Sequence, residues 1–147
     1  MAEGRKSFDE EFNPQITDTL NAVVDHMQGK MIDAKSLSVD EAEKLLDNAC
    51  DNCIKTFQSK MEEIKASAKK VKPDPSSATY YEDNKKYTAY IATVATGFDK
   101  SKSLFDTVFD RIRHIVSTVI DCIKLGMNWI WEQLNETFAS IRFLLKS

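Results

Sequence analysis

The sequence predicts an all-α fold, an antiparallel bundle of four or five helices that includes a long C-terminal helix. In the last third of the chain, Leu104 to Leu145, apolar residues recur every three or four positions, which is the spacing of one helix face. Glycine and proline number only 4 and 3 in 147 residues, too few for the frequent turns of a β-sandwich. The stripe consists of Phe105, Phe109, Ile112, Val116, Ile120, Ile123, Met127, Ile130, Leu134, Phe138, Ile141 and Leu145.

The sequence pattern in the front half of the chain predicts a hairpin of two antiparallel helices. Residues 1–12 lack apolar periodicity, and we expect a flexible tail there. The pair Asn13-Pro14 is typical of a helix start, so a first helix is predicted over 14–35, within a single domain that covers 13–147.

A second helix is predicted over 39–70, antiparallel to the first. Ser38 and Glu41 have the spacing of a capping box, in which each side chain accepts a hydrogen bond from the other residue's backbone N–H. Pro73 and Pro75 then prevent the helix from continuing, because proline lacks an N–H and restricts the residue before it. A linker is therefore predicted at 71–79.

A third helix is predicted over 84–97, with Asp83-Asn84 as its cap. A turn is expected between Gly97 and Ser103, where Ser101 or Ser103 would cap the next helix. This arrangement would leave the long C-terminal stripe as a separate helix.

The length of the C-terminal stripe raises a question of size. One helix over this stretch would be roughly 60 Å long, whereas a compact domain of this size is about 40 Å across. The helix must therefore break, project from the body or pair with another copy of the chain. Gly126 is the best point for a bend or a short break.

The net charge, the N-terminal stretch and the number of cysteines indicate which kinds of partner and which cellular compartment to expect. The formal net charge of −3 disfavours nucleic acid as a partner. The charged N-terminal stretch lacks the apolar core of a secretory signal, and three cysteines is an odd count for a disulfide framework. We expect a cytoplasmic protein without a membrane-spanning segment, with peripheral attachment to a membrane as the alternative.

Chemically reactive groups are few, and a non-enzymatic role without cofactor or metal is predicted. Cys50 and Cys53 could share a zinc ion with Cys122 or His114, but they lie in the middle of a helix beside its buried stripe. His26 and His114 have no neighbouring residues at the spacing of a catalytic triad. Structural roles therefore fit these residues better.

The C-terminal region carries more apolar surface than one buried face requires. If the helix is packed centrally among the others, most of this surface is core. The function we predict first is that the surplus binds an apolar partner, which is a lipid, a membrane surface or another copy of the chain in a homo-oligomer. A soluble module that recognises one folded protein is the second possibility. The side chains predicted to form this binding surface are Leu125, Trp129, Trp131, Phe138 and Phe143.

Overall fold

Every secondary-structure element in the described chain is a helix. The structure is a computed structural model that describes residues 8–127 and 130–146, and no strand occurs in those ranges. This confirms the predicted all-α bundle. The helices are α1 (Phe8–Glu11), α2 (Asn13–Ala34), α3 (Val39–Lys69), α4 (Tyr80–Leu125) and α5 (Ile130–Lys146).

Side-chain contacts show that α3 and α4 run antiparallel. Phe57 stacks on Phe105 near the middle of both helices, with ring centroids 4.2 Å apart. Farther toward the C-terminus of α4, the ammonium of Lys124 lies 3.9 Å from the carboxylate of Glu43, near the start of α3. Helices α2 and α3 form the predicted hairpin, and their bounds fall within one residue of the predicted 14–35 and 39–70.

A polar cluster sets the register of α5 against α2. The Arg142 guanidinium donates a hydrogen bond to the Asp25 carboxylate at 2.6 Å, and it also donates to the side-chain oxygen of Gln28. The Gln28 amide in turn donates to Asn135 at 2.9 Å. From Asn135 to Arg142 along α5, the partners on α2 go back from Gln28 to Asp25. These two helices are therefore antiparallel as well.

The predicted capping box begins α3. The Ser38 hydroxyl accepts from the Glu41 N–H at 3.2 Å, and the Glu41 carboxylate accepts from the Ser38 N–H at 3.4 Å. Within the range predicted as a tail, Phe8–Glu11 forms a helical turn and Phe12 is buried in the core.

The predicted turn over Gly97 to Ser103 is wrong, because α4 continues through it. Gly97 and Ser101 are both buried, so these small residues occupy contact positions of an uninterrupted helix. A glycine inside a helix costs about 1 kcal/mol relative to alanine, which the burial of the flanking apolar residues easily outweighs. The helix also begins earlier than Asp83-Asn84, at Tyr80, where the Thr79 hydroxyl donates to the Asp83 carboxylate at 2.7 Å.

The long C-terminal stripe is interrupted at the predicted point. Gly126 has a φ of 67°, in the left-handed region that glycine adopts without a Cβ clash. Its N–H donates to the Ile123 carbonyl at 3.2 Å, and the Met127 N–H donates to the Cys122 carbonyl at 2.9 Å. These two bonds form a Schellman motif, which ends α4 and satisfies its last carbonyl groups.

Two glycines allow a matched test of these backbone assignments. Gly126→Ala should lower the free energy of unfolding by about 1 kcal/mol, because alanine is strained at positive φ although its Cβ would meet no atom within 4 Å. Gly29→Ala should raise it by up to about 1 kcal/mol, since Gly29 lies inside α2 and its Cβ would also meet open space. Urea unfolding followed by circular dichroism measures both changes. Equal effects of the same sign would contradict the left-handed termination of α4.

Candidate functional site

An apolar depression lies between α3 and α4. It encloses about 500 Å³, which falls in the range of ligand pockets in proteins. The groove's apolar lining comes from both helices and consists of Ile54, Phe57, Met61, Phe98, Phe105 and Phe109. We call it the α3–α4 groove.

Stacked aromatic rings form the floor of the α3–α4 groove. Phe105 lies between Phe57 and Phe109, with centroid distances of 4.2 Å and 5.4 Å and nearly parallel planes. Phe57 and Phe105 are buried, whereas Phe109 is only partly covered. The floor is therefore anchored in the core at one end and reaches the surface at the other. Because the stacked rings are packed against one another, their side chains have little conformational freedom to lose when a ligand binds.

The rim of the α3–α4 groove is polar and mainly acidic. Glu62 on α3 and Asp99 and Asp106 on α4 line it, and all three are exposed. One cation, Lys102, lies between the two aspartates on α4. At neutral pH the three carboxylates outnumber the single ammonium, so the rim carries net negative charge.

Helix lengths explain why α5 does not extend along all of α4. The 46 residues of α4 span about 69 Å, whereas the 17 residues of α5 span about 25 Å. A smaller cleft of about 310 Å³ shows where α5 lies, because it is lined by residues 110–115 of α4 and 137–141 of α5. The segment of α4 that lines most of the α3–α4 groove precedes this stretch.

The α4–α5 cleft contains His114 with Asp110 and Ser140, which are residue types of a hydrolytic triad. In the described structure, however, His114 makes no side-chain hydrogen bond to Asp110 or Ser140. A triad requires its nucleophile and base within hydrogen-bond reach. These three side chains therefore do not form an assembled triad among the described residues, and His114 is exposed.

The residues predicted to bind a partner do not form one surface. Leu125 and Phe143 are exposed, with 72% and 75% of their surfaces accessible. They are far apart, since Phe143 lies thirteen residues along α5 from its start at Ile130, or about 20 Å. Trp131 is partly buried against the core, with the Lys35 ammonium 5.7 Å from its ring. Trp129 lies outside the described residues.

Phe138, one of the residues predicted to bind a partner, lies in the core of the bundle. Its side chain is fully buried, as are the neighbouring positions of the same helical stripe, Leu134, Ile141 and Leu145. This stripe packs α5 onto α2 and α4. The excess of apolar surface noted in the sequence is therefore partly used inside the bundle.

The pKa values of the Cys50 and Cys53 thiols are raised, which favours their neutral form. Burial raises the pKa of Cys53 to about 12, and the neighbouring Cys50 adds to the shift. Burial also raises the pKa of Cys50, as do Asp47 and Asp51, while Arg113 opposes the shift. Thiolate is the nucleophilic and metal-binding form, so both shifts disfavour these reactions near pH 7. Within residues 8–127 and 130–146, no three His, Cys, Asp or Glu side chains cluster closely enough to hold a metal ion.

Comparison with protein-family models, with curated protein sequences and with solved structures found no match to this chain. The roles of its residues therefore come from its own geometry. Among the helices described, none combines the length and the apolar character needed to cross a bilayer.

The α3–α4 groove was missed in the sequence because its lining residues all lie on apolar stripes that predict core. The only local signal is a set of acidic residues beside phenylalanines, as in Phe98-Asp99 and Phe105-Asp106. Which edge of each stripe stays open depends on the register of α3 against α4. That register brings Phe57 to Phe105, 48 positions later in the chain.

Phe138 and Phe143 provide a test of the corrected C-terminal assignment. Phe138→Ala should lower the free energy of unfolding by about 3 to 5 kcal/mol, because it leaves a cavity in a packed core. Phe143→Ala should change it by less than about 0.5 kcal/mol, since this ring is exposed. Urea unfolding measures both. Similar losses for the two variants would contradict the orientation of α5.

Proposed function

We propose that this protein is a non-enzymatic protein-interaction module whose binding surface is the α3–α4 groove. The observation that carries the proposal is the open groove with a floor of stacked phenylalanines. Four of its apolar lining residues, Ile54, Met61, Phe98 and Phe109, are only partly covered. Partly covered apolar side chains that lie together in a concave depression commonly belong to binding sites. An apolar centre with a polar border is also the usual arrangement of protein interfaces.

The floor of the groove favours binding with little rearrangement. Phe57 and Phe105 are buried, so the core holds their rings in place before any partner arrives. A preformed surface loses less conformational entropy on binding, which leaves more of the contact energy as affinity. Aromatic anchors in such positions often supply most of the binding energy of an interface.

The acidic rim favours a protein partner over the other apolar partners predicted from the sequence. Glu62, Asp99 and Asp106 would be repelled by the anionic surface of a membrane. A second copy that docked through the same groove around a two-fold axis would bring like-charged rims together. A different protein can place basic groups opposite these carboxylates.

The C-terminal region provides a second candidate surface. Leu125 and Phe143 are exposed large apolar side chains among the described residues of that region. They support the prediction that this region meets an apolar partner such as lipid, a membrane surface or another copy. Two separated side chains bury far less area than the α3–α4 groove offers. The groove is therefore the better supported site.

Selection from a displayed library of helical peptides, with no bias in charge, tests the proposed function. Binders selected on the unmodified protein should lose at least about tenfold in affinity for Met61→Glu, which places a charge in the apolar lining. Gln58→Trp should have a similar effect, because it fills the groove from an exposed rim position without altering the core. Titration calorimetry measures each affinity.

Leu125→Glu is the matched control, since it places the same charge on the C-terminal surface. Binders should retain their affinity for this variant if the groove is the site. Loss of binding to Leu125→Glu alone would favour the second candidate surface. Failure to select any binder, or binders that tolerate Met61→Glu and Gln58→Trp, would contradict the groove proposal. Circular dichroism verifies that each variant is folded.

A further inference from the structure

We infer that the element of the partner that occupies the α3–α4 groove is a cationic amphipathic α-helix of about three turns. This inference rests on the proposed function and adds the chemistry and length of the occupant. It is drawn from the lining, the length and the charges of the groove.

The lining of the groove requires an occupant that satisfies its own backbone. The six apolar residues that line the groove have no side-chain groups that can form hydrogen bonds with the N–H and C=O groups of an occupant's backbone. The surrounding backbone is helical and is already hydrogen-bonded within α3 and α4. An extended peptide would bury unpaired polar groups here, at a substantial cost. A helix makes its own backbone hydrogen bonds and presents apolar side chains from one face.

The length of the groove sets the length of the helix. On α4 the lining extends from Phe98 to Phe109, which is about 16 Å at 1.5 Å per residue. A helix that follows the groove therefore has about three turns in contact. Its anchors would be apolar residues spaced at i, i+4 and i+7, the pattern by which amphipathic helices fill grooves.

The acidic rim favours positively charged residues on the occupant, at positions that flank its apolar anchors. Asp99 and Asp106 are seven residues apart on one wall, about 10 Å along α4, and Glu62 lies on the opposite wall. Lysine or arginine residues on both flanks of the occupant would lie near these carboxylates. Lys102 opposes one such contact, so the expected preference for a cation is moderate. Since all these groups are exposed, the preference should weaken as salt concentration rises.

Three synthetic helical peptides of about 14 residues test the inference, a length that covers three turns with a margin at each end. They share leucine anchors at i, i+4 and i+7 and differ only at the flanking positions, which carry lysine, glutamine or glutamate. The lysine peptide should bind about tenfold more tightly than the glutamine peptide at low salt, and the glutamate peptide should bind most weakly. The difference between the peptides should shrink in 1 M salt.

A variant with neutral rim residues isolates the effect of charge. In Glu62→Gln/Asp99→Asn/Asp106→Asn, the affinity for the lysine peptide should fall to that for the glutamine peptide or slightly below it, because Lys102 remains on the rim. The affinity for the glutamine peptide should not change. The control Asp18→Asn/Asp33→Asn/Glu136→Gln removes three exposed carboxylates elsewhere and should preserve the order of the peptides. Equal sensitivity to both triple variants would contradict a local role of the rim.

The outcomes separate this inference from the proposed function. If the three peptides bind equally and all lose affinity for Met61→Glu, the groove is a binding site but the cationic preference is refuted. If no peptide binds, or if Met61→Glu has no effect, the proposed function fails and the inference fails with it.

Two further measurements address the other possible occupants. The first is competition between the lysine peptide and vesicles of phosphatidylcholine, alone or mixed with phosphatidylserine. The second is light scattering across a range of protein concentrations with and without the peptide. We expect neither vesicle to compete and no oligomer that the peptide dissociates. Competition by vesicles would indicate a lipid occupant, and a peptide-sensitive oligomer would indicate a second copy; either result would overturn the inference.

Discussion

The structure depends on burial of the apolar stripe along α4, a helix longer than any element available to cover it. At about 69 Å, α4 extends well beyond the reach of α5, which is about 25 Å long. Helices α2 and α3 bury the inner side of the stripe, and α5 covers part of another side. The outer edge between α3 and α4 remains open, and its residues are the stacked phenylalanines of the groove floor. The α3–α4 groove is thus a place where part of the apolar surface of α4 stays incompletely covered.

Sequence patterns predicted the local features because their causes are local. The capping box at Ser38, the interruption at Gly126 and the apolar stripes each depend on a few neighbouring residues. The continuity of α4 was missed because tertiary packing at Gly97 and Ser101 overrides their weak helix propensity. Features that join distant segments could not be predicted in this way. The α3–α4 groove depends on the register between two helices. The burial of Phe138, in contrast, follows the apolar stripe that it shares with Leu134 and Ile141.

Charge and burial act together in the proposed binding mode. The aromatic floor supplies apolar contact that would accept many hydrophobic partners, whereas the rim carboxylates Glu62, Asp99 and Asp106 favour those with basic flanks. Such long-range charge effects tend to determine partner choice and association rate more than final affinity. The raised pKa values of Cys50 and Cys53 suppress thiolate chemistry at these two residues.

The most direct test of this architecture is the distance across the segment of α4 where the sequence suggested a turn. Spin labels would be attached at Lys86→Cys and Arg111→Cys, two exposed positions 25 residues apart, in a chain whose three native cysteines are replaced by alanine. Pulsed electron paramagnetic resonance should give about 37 Å, the length of an uninterrupted helix between them. A distance of about 20 Å or less, as expected if the chain reversed direction at 97–103, would contradict the continuous helix and remove one wall of the groove.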